Sequence, residues 1–124
     1  SIYQWMYPVR SMLQAGATIC GASDWPVSTA NPFEAMYYAE TRKGALGVLD
    51  ASQRMPRMAM LYAYTSEAAK ALMMEHRIGS LQIGKSADFI LLDRDVLTAS
   101  PESLKATQVL WTMFEGKKVF EVEK

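Results

Sequence analysis

Ala17-Thr18-Ile19-Cys20-Gly21-Ala22-Ser23-Asp24-Trp25-Pro26-Val27 is the stretch on which the fold turns. Residues 17–22 are a run of apolar and small side chains behind Gly16, which predicts a short buried strand. A single carboxylate then stands before Trp-Pro. Pro26 disfavours helical geometry at Trp25 and marks the end of the strand. Asp24 therefore falls where a strand gives way to a loop. In a parallel α/β barrel that is the end at which active-site residues collect.

Upstream of this stretch, Val9, Met12 and Leu13 recur at helical spacing, and a helix over residues 9–14 is expected to stop at Gly16. Downstream, Asn31, Pro32 and Glu34 make an Asn-x-x-Glu capping box with proline in the first helical position. That helix should place Phe33, Met36, Tyr37 and Glu40 on one side and end at Gly44. Residues 45–55 read as a loop. Pro56 opens a helix to about Tyr64, and Thr65 or Ser66 caps another with Glu67 in its first turn. Ala68, Ala69, Leu72 and Met73 are its expected buried stripe.

After Ile78 the pattern changes. Gly79 and Gly84 punctuate a turn-rich connection, residues 87–93 read as a strand, and a short helix can start at Pro101. Two β-rich runs, 109–114 and 117–122, flank Glu115-Gly116 as a hairpin would. The chain thus divides into a part of strand and helices, 1–78, and a β part, 79–124.

The 124 residues are half apolar and 21% charged, with 13 charges of each sign, a globular composition. A net charge of zero gives no electrostatic argument for nucleic acid or an anionic membrane as partner. Cys20 is the only cysteine, so an intrachain disulfide is excluded. No secretory leader pattern and no apolar run of about 18 residues is present, which makes the cytoplasm the expected compartment. The start, Ser-Ile-Tyr-Gln-Trp-Met-Tyr-Pro, reads as a cut through something larger.

Several segments together resemble the amidohydrolase superfamily, in its amidohydrolase-3-like group. Residues 21–27 are similar to the segment at the eighth barrel strand. Ala63-Tyr64-Thr65 with Ala68-Ala69 resembles the helix that follows. Ile78-Gly79-Ser80-Leu81, Gly84-Lys85, Ala87-Asp88-Phe89 and Leu92-Asp93 are similar to the exit into a small β-sandwich. Val109, Thr112, Gly116-Lys117 and Val119-Phe120 match the final hairpin. The resemblance implies a parent (β/α)8 barrel with an appended sandwich. This chain would be its C-terminal fragment, α+β when isolated: the last strand and helices of the barrel plus the terminal sandwich strands.

The resemblance also implies chemistry. The family's matching aspartate binds the metal and takes a proton from the attacking water, so Asp24 is the expected catalytic residue and metal ligand. Trp25 either lines the substrate pocket or packs over the barrel mouth. A divalent ion, zinc first, is expected in the complete enzyme and none in the isolated chain. The family's His-x-His pair, mid-barrel lysine or glutamate and later histidines are absent, and His76 is the only histidine. His76 reads as a solvated helix end, Cys20 as a buried structural thiol, and Asp88 and Asp93 as structural carboxylates. Two functions are open. One is a hydrolase of C–N bonds in small amide, N-acyl or cyclic amide substrates, of which this chain is an inactive part. The other is a non-catalytic remnant that self-associates through open strand edges.

Overall fold

Asn31 starts the helix around which the core is built. The computed structural model describes residues 2–123; Ser1 and Lys124, the outer bounds of the two expected parts, lie outside the described residues. A 3-10 turn (Ile2–Trp5) precedes helix α1 (Val9–Gln14). Helix α2 (Pro32–Thr41) opens as the sequence says: the Asn31 side chain accepts from the Phe33 N–H at 3.0 Å, and Pro32 needs no donor there. The reciprocal half of the capping box is not made. The Asn31 N–H donates instead to Thr29 Oγ1 at 3.2 Å, and Glu34 faces Lys105 at 3.8 Å. Phe33, Met36 and Tyr37 are buried, as their spacing predicts.

Helix α2 ends at Thr41, before the expected Gly44, because Arg42 takes the left-handed conformation (φ 51°) and its N–H returns to the Tyr38 carbonyl at 2.7 Å. A small hairpin follows, with β1 (Lys43–Gly44) where the helix is expected to end and β2 (Gly47–Val48) inside the expected loop, which also holds a 3-10 turn (Ala51–Gln53). Helices α3 (Arg57–Ala63) and α4 (Ser66–Ala71) come next. Of the expected α4 stripe only Ala69 is buried. Leu72 and Met73 are exposed, since the helix has ended and Met73 turns at φ 55°.

The rest is a three-stranded antiparallel sheet in the order β3–β4–β5, interrupted by helix α5 (Pro101–Lys105). Strand β3 (Phe89–Leu92) pairs with β4 (Val109–Phe114), Phe89 opposite Met113, and β4 pairs with β5 (Lys117–Glu121), Phe114 opposite Lys117. Glu115 (φ 49°) and Gly116 (φ 75°) both take positive φ, as a type I′ hairpin turn requires. Asp88 steadies that turn: its Oδ1 accepts from the Glu115 N–H at 2.7 Å and from Ser86 Oγ at 2.8 Å.

Phe33, Met36, Met55, Met60 and Leu104 form the buried core, with Leu13, Ile19, Tyr64, Leu92, Val96 and Val109 against it. Residues from before and after position 79 share this one cluster. The described chain is a small α+β structure with two antiparallel sheets. No helix among the described residues is long and apolar enough to cross a membrane.

One expectation fails outright. Residues 17–22 form no strand: no ladder pairs with them, Ala17, Thr18, Cys20 and Ala22 are exposed, and only Ile19 and Gly21 are partly covered. A barrel strand of this composition needs a neighbour on each side and a layer over each face. None of the described residues supplies them.

Candidate functional site

The segment leading to Asp24 is held by the corner between α3 and α4. The Gly21 N–H donates to the Ala63 carbonyl at 2.9 Å, and Cys20 Sγ donates to the Glu67 carbonyl at 3.3 Å. The Tyr64 ring lies so close over Gly21 that a Cβ on that residue would meet it at 2.5 Å. Cys20 is exposed, which corrects its reading as a buried thiol: with no sheet around it, the side chain reaches the surface.

From Ser23 the chain makes a tight turn. Asp24 sits at φ 52°, and its carbonyl accepts from the Val27 N–H at 2.8 Å. The Trp25 N–H donates to Ser23 Oγ at 3.2 Å, Ser28 Oγ donates to the Ser23 carbonyl, and the Trp25–Pro26 peptide is cis. This is the turn that the sequence places there, with aspartate in the left-handed region that its short polar side chain tolerates. The Asp24 carboxylate is exposed and accepts no hydrogen bond from the described residues, so it caps no backbone. The Trp25 indole is 70% exposed.

Of two cavities that share part of their walls, only the smaller touches this segment. One, of about 440 Å³, is walled by Ile19 to Ala22 together with Gln53, Met60 and Tyr64. The other, of about 790 Å³, is walled by Tyr3, Tyr7, Tyr38, Leu46, Val48 and Leu49. Tyr7, Val9, Ala39 and Arg42 line both. The Arg42 guanidinium donates to the carbonyls of Met6 at 2.8 Å and Tyr7 at 3.1 Å, which ties the aromatic N-terminal segment to the end of α2. Burial raises the Tyr64 hydroxyl above the usual tyrosine value. Neither Tyr64 nor Arg42 is a site candidate from the sequence; the Gly21–Tyr64 approach joins residues more than forty positions apart and leaves no local pattern.

The remaining sequence candidates lie apart from the turn. His76 is exposed, in the turn that follows α4 rather than on the helix itself. Asp93 accepts from Arg94 (2.8 and 2.6 Å) and from the Gln108 N–H at 3.0 Å, and these donors, Arg94 foremost, hold its carboxyl down at about 2. With Asp88 at the hairpin turn, both carboxylates brace the β part, as expected.

Residues 2–120 match the amidohydrolase family profile. The chain belongs to the amidohydrolase family. Among its relatives are an N-substituted formamide deformylase of Arthrobacter pascens, 35% identical over 94% of this chain and 22% of the relative. A 5-methylthioadenosine/S-adenosylhomocysteine deaminase of Caldanaerobacter subterraneus is 30% identical over 92% of this chain and 28% of its own length. An imidazolonepropionase of Bdellovibrio bacteriovorus is 32% identical over 91% and 25%. The chain thus spans about a quarter of the length of these amidohydrolases.

The family implies a divalent metal, and the described residues do not by themselves fit one. They contain no group of three or more His, Cys, Asp or Glu side chains that could hold an ion, whereas a catalytic zinc takes about three protein ligands. Asp24 belongs to no such group among the described residues.

Proposed function

We propose that these residues are the C-terminal part of a metal-dependent amidohydrolase that cleaves C–N bonds of small amide, N-acyl or cyclic amide substrates. In this reading residues 1–78 end a (β/α)8 barrel and residues 79–124 complete its β-sandwich. The observation that carries it is Asp24: an exposed carboxylate with no donor from the described residues, on a braced turn, in a chain that matches the family over residues 2–120. A carboxylate so placed is free to take a proton from an attacking water and return it to the leaving nitrogen. Trp25 beside it offers an exposed apolar face for the substrate. Asp24 is also the proposed metal ligand, with zinc the proposed ion, and the other ligands would come from residues outside this chain. The compartment proposed is the cytoplasm.

The isolated 124 residues are proposed to be inactive and to self-associate. Ile90, Leu91, Val119 and Phe120 are exposed on the sheet, and β3 and β5 are its open edges, which favours that second reading for the chain by itself.

A chimaera tests the hydrolase reading: this chain replaces the matching segment of the Arthrobacter deformylase, and hydrolysis of an N-substituted formamide is followed with metal content. The expected result is turnover with bound metal, and a loss on the order of 100-fold or more in Asp24→Asn. Equal rates for the chimaera and its Asp24→Asn variant would overturn the role of Asp24.

A further inference from the structure

Resting on the reading of Asp24 above, we propose that Tyr64 is a positioning residue, its ring the stop against which Gly21 is pressed and by which the Asp24 turn is placed. No ladder holds residues 17–22 among the described residues: the Ala17 N–H bond to the Met12 carbonyl at 3.0 Å and the packing of Ile19 on the core fix the start of the segment, and the α3–α4 corner fixes its end at Cys20 and Gly21. That corner makes three contacts: Ala63 through its carbonyl at 2.9 Å, Glu67 through its carbonyl at 3.3 Å, and the Tyr64 ring.

The ring contact leaves no room for a side chain at Gly21. An added Cβ at Gly21 would lie 2.5 to 2.6 Å from three ring carbons, closer than packed carbon atoms come. Tyr64 packs against the core cluster, and its N–H bond to the Met60 carbonyl at 3.2 Å holds its backbone at the end of α3. Only Ala22 and Ser23 separate Gly21 from Asp24, and Ser23 is pinned on both sides by Ser28 and Trp25. A displacement of Gly21 therefore passes along the chain to Asp24 and Trp25. The ring does this work, and the hydroxyl is not needed for it.

The test is ¹⁹F NMR of the 124-residue chain labelled with 5-fluorotryptophan, which carries three reporters, Trp5, Trp25 and Trp111. Gly21→Ala and Tyr64→Ala are expected to shift or broaden the Trp25 resonance and to leave that of Trp111, on β4, in place. Tyr64→Phe keeps the ring and should leave all three unchanged. An unmoved Trp25 resonance in both Gly21→Ala and Tyr64→Ala overturns the proposal. So does a joint shift of Trp25 and Trp111, which would mark general loosening instead of placement of the turn; should Tyr64→Ala unfold, Gly21→Ala decides by the same criteria. Asp24→Asn is a separate arm. It is made in the deformylase chimaera, addresses turnover and leaves the Tyr64–Gly21 contact intact, so the hydrolase reading and the positioning role can fail independently.

Discussion

Arg57 grips Glu40 through both carboxylate oxygens, with Nη2 at 3.0 and 2.9 Å and Nε at 3.1 Å, while its Nη1 donates to the carbonyls of Val96 (3.0 Å) and Ala99. One guanidinium thus joins α2 and α3 to the loop before α5. The pair is mostly covered, with side-chain exposures of 12% and 25%. Removing one partner strands the other in a poorly solvated place. Arg57→Ala is expected to lower unfolding free energy by about 2–4 kcal/mol. Arg57→Lys should recover only part of this, because an ammonium cannot reproduce the fork. Urea titration of the three proteins checks both statements.

Leu104 is fully buried, at 0% exposure, on the short helix α5 and in contact with the cluster around Phe33 and Met36. Leu104→Ala should cost about 2–5 kcal/mol, the loss of transfer free energy plus a cavity that α5 cannot close without moving its neighbours. A midpoint in urea that stays at the wild-type value would show that the helices reseat freely.

Asp93 sets an acid limb. Its folded value, about 2, lies below the usual 3.8, so the stability it contributes is present above about pH 4. That stability fades as pH falls through the folded value, when protonation releases Arg94 and the Gln108 N–H. Asp93→Asn should therefore flatten the decline in stability between about pH 4 and pH 2 and be less stable than wild type at neutral pH. Urea midpoints measured across this range compare the two slopes.

Glu115 is a non-glycine residue at φ 49° in the hairpin turn. Asparagine suits that conformation better than glutamate, and Asn-Gly is the preferred pair for this turn. Glu115→Asn should stabilise the chain by about 0.5–1 kcal/mol while keeping the N–H bond to Asp88. Thermal unfolding of the variant, with Gly116→Ala as the destabilising control, tests the turn type.

Local chemistry made much of this structure legible. Asn31-Pro32 announced α2, Pro101 fitted the start of α5, and Glu-Gly between two β-rich runs announced the β4–β5 hairpin. What escaped depended on partners distant in sequence or absent from the described residues. The run at residues 17–22 has a strand's composition, but a ladder takes two segments. Arg42 usurped the helix stop assigned to Gly44, since a non-glycine residue in the left-handed region leaves no compositional mark. Asp24 is marked in the sequence by the Trp-Pro that follows it, whereas the Tyr64 ring meets Gly21 across space and its neighbours carry no sign of that approach.

The placement of Leu104 against Phe33 has a consequence for synthesis. These two residues are some seventy positions apart, so at about 5–20 residues per second the apolar stripe of α2 emerges several seconds before its covering helix exists. During that interval Phe33 and Met36 have no native shelter from α5. The nascent chain should therefore be a client for hydrophobic-binding chaperones at the ribosome, and a slow folder once released, because its core closes over a long loop.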